Sequence, residues 1–386
     1  MSALAEVSEF PLRNNRTDDE TDSVFLLSRR QTSIRTSGVV EEFDSAFDAA
    51  EALKTGRIDS VVGALPFSPE TPSALTAPLS FTRVRGDLYH SNIPSLPTSR
   101  VAGFEPSPQI HTDRVRGAIE RLRAGELDKV VLARSLTIEA ESTIFPRRSG
   151  RETDCTRSRA QRFLRRPVPP AGGKYRGRSL VGSTPEVLIE RRGGVVTCHP
   201  LAGSIARHPN SDQDEANAEQ LRASTKDLAE HAFVVDSISA ILGPLCTSFN
   251  APSAPEILRT PQLWHLGTKI EGVLIDPSLT SLELAMALHP TPAVCGTPTV
   301  AAREHITATE ADRGFYAGAV GWCDRTGDGE WMVAIRCAEI AADGLSARAY
   351  AGGGIVATSD PEIELRETST KFRTLLSAFD LAEHHL

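Results

Sequence analysis

The sequence has no C-x-x-C pair: its six cysteines, Cys155, Cys198, Cys246, Cys295, Cys323 and Cys337, are scattered along the chain. At that spacing they read as reduced core thiols of a cytoplasmic protein, not as a disulfide framework. No apolar run approaches the roughly 18 residues that a membrane helix needs. The opening stretch, MSALAEVSEFPLRNN, lacks both the basic and the apolar region of a signal peptide. Basic residues are outnumbered, 42 against 50, for a net charge of -8, so a protein-wide footprint for nucleic acid is missing. Neither a membrane nor a nucleic acid is therefore expected as partner. Internal repeats are absent too. What is present is ordinary for a globular chain: 40% hydrophobic and 24% charged residues, which excludes collagen-like or wholly disordered protein. The length, 386 residues, suits two to three domains or one large α/β domain.

Residues 1–95 say little. Val61–Phe67 reads as a strand, Ser68–Pro78 as a loop and Ser91–Pro108 as a Pro/Ser-rich boundary. Beyond it, Val115, Ile119 and Leu122 keep helical spacing, with Gly125 as a stop. Lys129–Ala140 is predicted as a strand and Val187–His199 as a hairpin turning on Arg-Gly-Gly. Ala216–Leu245 reads as one long helix broken near Gly243, and Ser281–Leu288 as a short one. Trp331–Ile340 and Leu345–Val356 should pair across Asp343-Gly344. The last helix should run from Asp360 to Leu386, with Pro361 in its first turn. Hairpins dominate the strands, which favours an α+β arrangement of antiparallel sheets covered by helices.

One stretch breaks the pattern. Ten arginines fall between Pro146 and Arg178, with Pro, Ser and Gly filling most of the rest. Three readings compete: a solvated basic loop, a nucleic-acid arm lacking aromatic interleaving, and out-of-frame translation of a GC-rich gene.

Few residues promise chemistry by type and spacing. Asp227 and Glu230 are three apart on a predicted helix, as are Glu364 and Glu367. Such pairs project from one helix face. Two facing pairs would offer hard oxygen ligands to Mg²⁺, and the alternative is an acidic surface. Lys371 follows Glu367 by four residues, the spacing of an exposed ion pair. Three glycines inside the predicted strand YAGGGIV (350–356) imply a close approach to backbone, or a bulge. With Arg336 nearby they would suit a carboxylate. His265 lies in an apolar stretch, where a core role is the common one. Lys129 opens an apolar strand and Glu186 follows Ser-Thr-Pro. Buried, a lysine can serve as base and a glutamate as acid.

From about Pro108 to Leu386 the chain resembles the chorismate-utilising enzymes, and within them the isochorismate synthases. The motifs carrying the resemblance are KVVLAR (129–134), GSTPEVLIE (182–190), LAGSIAR (201–207), STKDLAEH (224–231), TPQLWHLGTKIEG (260–272), HPTPAVCGTP (289–298), DRGFYAGAVGWCD (312–324), GEWMVAIRCAEI (329–340), YAGGGIVATSDPE (350–362) and RETSTK (366–371). The resemblance implies an α/β fold of two large antiparallel sheets packed face to face and wrapped by helices. It implies one catalytic domain, 96–386, with 1–95 as a variable part of it and 144–173 as the anomalous segment. It implies Mg²⁺-dependent conversion of chorismate to isochorismate for siderophore or menaquinone synthesis, by a monomer without a glutaminase subunit. Lys129 matches the base and Glu186 the acid. Glu230 and Glu367 match the Mg²⁺ ligands, supported by Asp227 and Glu364. Arg336, Gly352 and Gly353 match the pocket for the side-chain carboxylate. Gly203, Ser204, His265, Ala293 and Lys371 match further substrate positions. Ala202 stands where aminodeoxychorismate synthase carries a nucleophilic lysine, so water is the expected nucleophile. Salicylate synthase is the nearest alternative; a chorismate-binding protein impaired by the anomalous segment is another. The family has a helix and core strand in that segment, so a shifted frame there predicts an irregular loop and a gap in the sheet.

Overall fold

The computed structural model describes residues 23–29, 32–86, 96–144, 162–165, 173–260, 262–379 and 381. Two large sheets organise them, one of ten strands and one of nine. Across the first sheet the strands run Gly296–Thr297, Lys129–Ala140, Ser346–Ile355, Cys337–Ile340, Ser179–Gly182, Arg162–Arg165, Ser23–Ser28, Thr32–Ser37 and Ser80–Arg85. Ser99–Glu105 also pairs with Lys129–Ala140. The second sheet runs Cys246–Asn250, Ile270–Leu274, Val195–His199, Val187–Arg192, Gly329–Val333, Ala319–Asp324, Ser60–Leu65, Ala74–Ala77 and Glu41–Phe43. Pairing is antiparallel within both. Side chains of both sheets, among them Phe25, Leu27, Val130, Leu180, Val62, Ile189, Trp322 and Trp331, fill one core. The other face of the first sheet packs Leu136, Ile138 and Ala349 against Phe372, Leu375 and Leu376 of the helix Pro361–Ala378. This is the antiparallel α/β architecture that the resemblance implies.

Local chemistry accounts for many element ends. Asp360 caps the last helix by accepting from the N–H groups of Glu362 and Ile363, and Pro361 fills its first turn. Thr280 and Glu283 form a reciprocal capping box on Ser281–Leu288. Gly193 and Gly194, both at positive φ, turn the 187–199 hairpin. The helix Pro108–Arg123 buries Val115, Ile119 and Leu122 as their spacing requires.

Five expectations need correction. The single helix over 216–245 is two, Ser211–Ala223 and Thr225–Leu242, because Ser224 leaves the helix and caps the second by accepting from Asp227 N–H. Trp331–Ile340 is not one strand. Gly329–Val333 belongs to the second sheet and Cys337–Ile340 to the first, and the chain crosses between them at Arg336, whose φ is +50°. The loop 68–78 ends in a strand, Ala74–Ala77, recruited by pairing with Ser60–Leu65. The sheet has no gap at the Arg-rich segment: Arg162–Arg165 pairs with Ser23–Ser28 on one side and Ser179–Gly182 on the other. A ladder is made of backbone donors and acceptors, so a four-residue strand can form without alternating apolar residues. The last helix stops at Ala378, with Phe379 as its C-cap, short of the expected Leu386. Residues 145–161, 166–172, 380 and 382–386 lie outside the described residues. Thr225–Leu245 is long and apolar enough to cross a membrane by length and composition, unlike any run expected from the sequence. Glu230, His231, Val234, Ile238 and Leu242 of that helix are buried in the protein.

Candidate active site

Two crossings between the sheets lie side by side. Ser179–Gly182 of the first sheet passes through Ser183–Glu186 into Val187–Arg192 of the second, and residues 334–336 return the chain the other way. The crossings are tied together: Ser183 N–H donates to Arg336 O at 3.1 Å, and Val333 N–H donates to Glu186 O at 3.1 Å. Arg336 adopts a left-handed backbone conformation that non-glycine residues rarely occupy. The chain thereby presents Glu186 and Arg336 to one cavity of about 70 Å³.

That cavity collects residues from distant segments. Of the expected site residues, Glu186, Ala202, Gly203, Ser204, Glu230, His265, Ala293, Arg336, Gly352, Glu367 and Lys371 line it. Lys129, Asp227, Gly353 and Glu364 stand just behind. Lys129 is fully buried, with Nζ 3.1 Å from Glu230 Oε1. Its amine makes no aligned hydrogen bond, so the contact is an ion pair. Asp227 lies beneath Gly203, and Gly353 packs against Glu364.

A third sheet of three strands, Leu201–Ala206, Leu263–Gly267 and Glu256–Arg259, carries another part of the lining. Ser204 and His265 are cross-strand partners there. Asp214, on the helix Ser211–Ala223, ties the ribbon down: it accepts from Arg207 Nε, His208 N–H and Trp264 Nε1, each within 3.0 Å. His265 Nε2 is buried without a partner.

Burial sets the electrostatics. It pushes the Glu186 carboxyl up to about 8, against the opposing pull of the Leu201 N–H, Lys129, Arg336 and Lys371. It also holds His265 well below the ordinary histidine value, helped by Arg336 and Lys371, so that imidazole is neutral. Glu367 is buried as well, yet Lys371 and Lys226 more than reverse that effect and keep its carboxyl below the usual range. Lys371 Nζ bonds Glu367 Oε1 at 2.6 Å and Gly352 O at 2.7 Å. Glu364 is raised to about 7 by burial and by Glu367, although Lys226 Nζ and Ser359 Oγ both donate to Oε1. Asp227 is raised by burial, with Glu230 and Glu367 adding to it. Asp227 and Glu364 thus feel neighbouring carboxylates as like charges. Among the described residues no three His, Cys, Asp or Glu side chains stand at metal-ligating spacing. Lysines 129, 226 and 371 hold the carboxylates instead. One oxygen, Glu364 Oε2, is buried with no partner, an open acceptor of the kind a hard cation uses.

Tyr316, Tyr350 and Gly354 are among the lining residues to which the sequence patterns give no individual role. Tyr316 and Tyr350 stack at 4.8 Å with planes 8° apart, and both face the cavity. The signal for Tyr316 is its place in DRGFYAGAVG, and no spacing rule singles it out. Gly354 is the third glycine of YAGGGIV: a Cβ there would lie 2.1 Å from Glu230 Oε1. The third glycine therefore reflects a close approach of a carboxylate from the helix Thr225–Leu242.

A cavity lined by a buried acid, an arginine and a lysine, at the seam of two face-packed antiparallel sheets, matches one class. The sequence pattern of the chorismate binding enzymes fits residues 86–380, and the chain belongs to that family. Within the family it is similar to isochorismate synthases. It is 42% identical over 341 residues to isochorismate synthase DhbC of Bacillus subtilis, covering 85% of this chain and 84% of that one. It is 36% identical over 327 residues to isochorismate synthase EntC of Escherichia coli, covering 83% and 81%. The structure of MenF, the menaquinone-specific isochorismate synthase of Escherichia coli, superposes with a TM-score of 0.79 at 25% identity, covering 96% of this chain and 93% of that one.

Proposed function

We propose that this protein is an isochorismate synthase, isomerising chorismate by addition of water at C2 and loss of the hydroxyl at C4. The observation that carries this reading is Glu186, a buried carboxyl that keeps its proton up to about pH 8, in the same cavity as two cations. Arg336 faces the cavity beside the backbone of Gly352 and takes the substrate's side-chain carboxylate. Water attacks C2 and gives its proton to Lys129 Nζ, which acts as base in its neutral amine form, released from the ion pair with Glu230. The ring π electrons shift, and the C4–O bond breaks. Glu186 gives its proton to the departing oxygen, which leaves as water. One water enters and one departs, so the net change is isomerisation. Ala202 lines the cavity with a methyl group and offers no amine to compete with water.

The open Glu364 Oε2 supports a magnesium ion at the carboxylate cluster, with Glu230 and Glu367 as ligands and Asp227 and Glu364 in support, drawn in from the wider spacing they keep without it. Such an ion would neutralise a substrate carboxylate and polarise it. Among this chain's own residues, Lys226 and Lys371 position Glu364 and Glu367 for that task.

The test is incubation of purified protein with chorismate and Mg²⁺, followed by chromatography. Isochorismate is expected, with turnover lost on chelation by EDTA and regained on adding Mg²⁺. Salicylate with pyruvate, or binding without turnover, would overturn the assignment. Turnover indifferent to EDTA would remove the metal.

A further inference from the structure

A second cavity, of about 40 Å³, opens on the other side of Tyr350. Its walls include Glu105, Arg114, Arg134, Glu310, Asp312 and Arg348. Its carboxylates are all engaged. Glu105 pairs with Arg348. Glu310 accepts from Arg313 and from Ala133 N–H. Asp312 accepts from Lys174, Tyr175 and Gly314 N–H. Two cations are left over. Arg134 is 2% exposed, and among the described residues no carboxylate pairs with it. Its Nη2 donates to Ser369 Oγ at 2.8 Å, but its Nε is buried without a partner. Phe104 and Phe372 lie 5.2 and 5.4 Å from its guanidinium carbon. Ring stacking engages the faces of a guanidinium; the in-plane N–H still needs an acceptor. Arg114, from the helix Pro108–Arg123, has no carboxylate partner among the described residues either.

A neighbour reports the same imbalance. His111, 1% exposed, has no partner on either ring nitrogen. Burial pushes its pKa down to about 3, with Arg134 and Arg114 adding to the effect. No nearby charge relieves the burial of Arg134, which falls to about 10. Buried charges in proteins are paired or ligated, and here a buried arginine with an unpartnered N–H is part of the wall of an open cavity.

We propose that this cavity is a second binding site, separate from the catalytic one, that takes a small oxyanion on Arg134 and Arg114. The guanidinium fork matches a carboxylate or a phosphate, and the space exceeds that of one water. Tyr350 lines both cavities and stacks on Tyr316, so it forms the wall between the two sites.

The probes are inorganic phosphate and, separately, acetate, titrated into the full chain by calorimetry at constant ionic strength. The measurement is made in Arg336→Gln, which weakens anion binding at the catalytic cavity. Saturable binding is expected, at least tenfold weaker when Arg114→Gln or Arg134→Gln is added. Phosphate alone, acetate alone or both binding in this way supports the site and names the chemistry it takes. Arg114 is only partly buried, so its variant keeps the test valid if Arg134→Gln fails to fold. Absence of saturable binding for either anion, or binding unchanged by Arg114→Gln, would overturn the proposal.

Discussion

Glu186 carries its proton through neutral pH because the seam between the sheets strips it of water, and the surrounding cations only partly offset that cost. As a proton donor it is competent below about pH 8, so kcat/KM should fall as pH rises through that value. Stability should move the same way. The native carboxyl holds its proton at pH values where the unfolded chain has released it, so the stabilising contribution is complete below the ordinary glutamate pKa. It is lost as pH rises through about 8. Glu186→Gln should cost on the order of a hundredfold or more in rate, abolish the alkaline limb and flatten the pH dependence of unfolding. Rate profiles and urea titrations at several pH values check this, and an unchanged limb in Glu186→Gln would assign it to another group. Lys129→Ala should lose rate on a similar scale. His265 and Arg336 differ from these two. One is a neutral imidazole whose Nε2 has no partner, the other a fixed charge whose backbone strain places it.

At the scale of elements, the site depends on how closely the strand Ser346–Ile355 meets the helix Thr225–Leu242. Gly354 sits opposite Val131 on the neighbouring strand, and its missing side chain leaves room for the Glu230 carboxylate. Gly354→Ala should push Glu230 aside and break its contact with Lys129. Overpacking of this kind costs about 1–3 kcal/mol of stability, and a displacement of about 1 Å in a catalytic group can cost about a hundredfold in rate. The expected variant is folded, slightly less stable and nearly inactive, by thermal melting and turnover together. Full activity would mean that Glu230 has no fixed place in the reaction. Gly203, at φ +79° and against Asp227, makes a similar close approach on the third sheet.

The whole molecule has one core shared by both sheets, with Trp322 and Trp331 fully buried inside it. Tryptophan emission should therefore be blue-shifted in the native state. Its loss in denaturant should coincide with the loss of far-ultraviolet circular dichroism, because neither sheet can open without exposing the other. Separate midpoints would mean that the sheets unfold independently. Much of this frame is legible in the amino-acid sequence. The apolar run of Lys129–Ala140, the glycine turn at 193–194 and the proline start at 361 are local signals, set by backbone sterics and side-chain burial over a few residues. The ordered motifs identify the family, and through that resemblance most of the residues that line the cavity. Other features need the fold. The break at Ser224 separates two helices that have one continuous periodicity. The strand Arg162–Arg165 exists through pairing with residues more than a hundred positions away. The crossing at Arg336 divides what reads as a single strand, and the close approach of Gly354 to Glu230 joins segments more than a hundred positions apart. Turning, capping and burial are preferences that act within a turn or a strand, so the order of residue types suffices to assign them. Which charges meet is a matter of three-dimensional packing, because their distances depend on how two sheets close on each other and on the water that closure excludes.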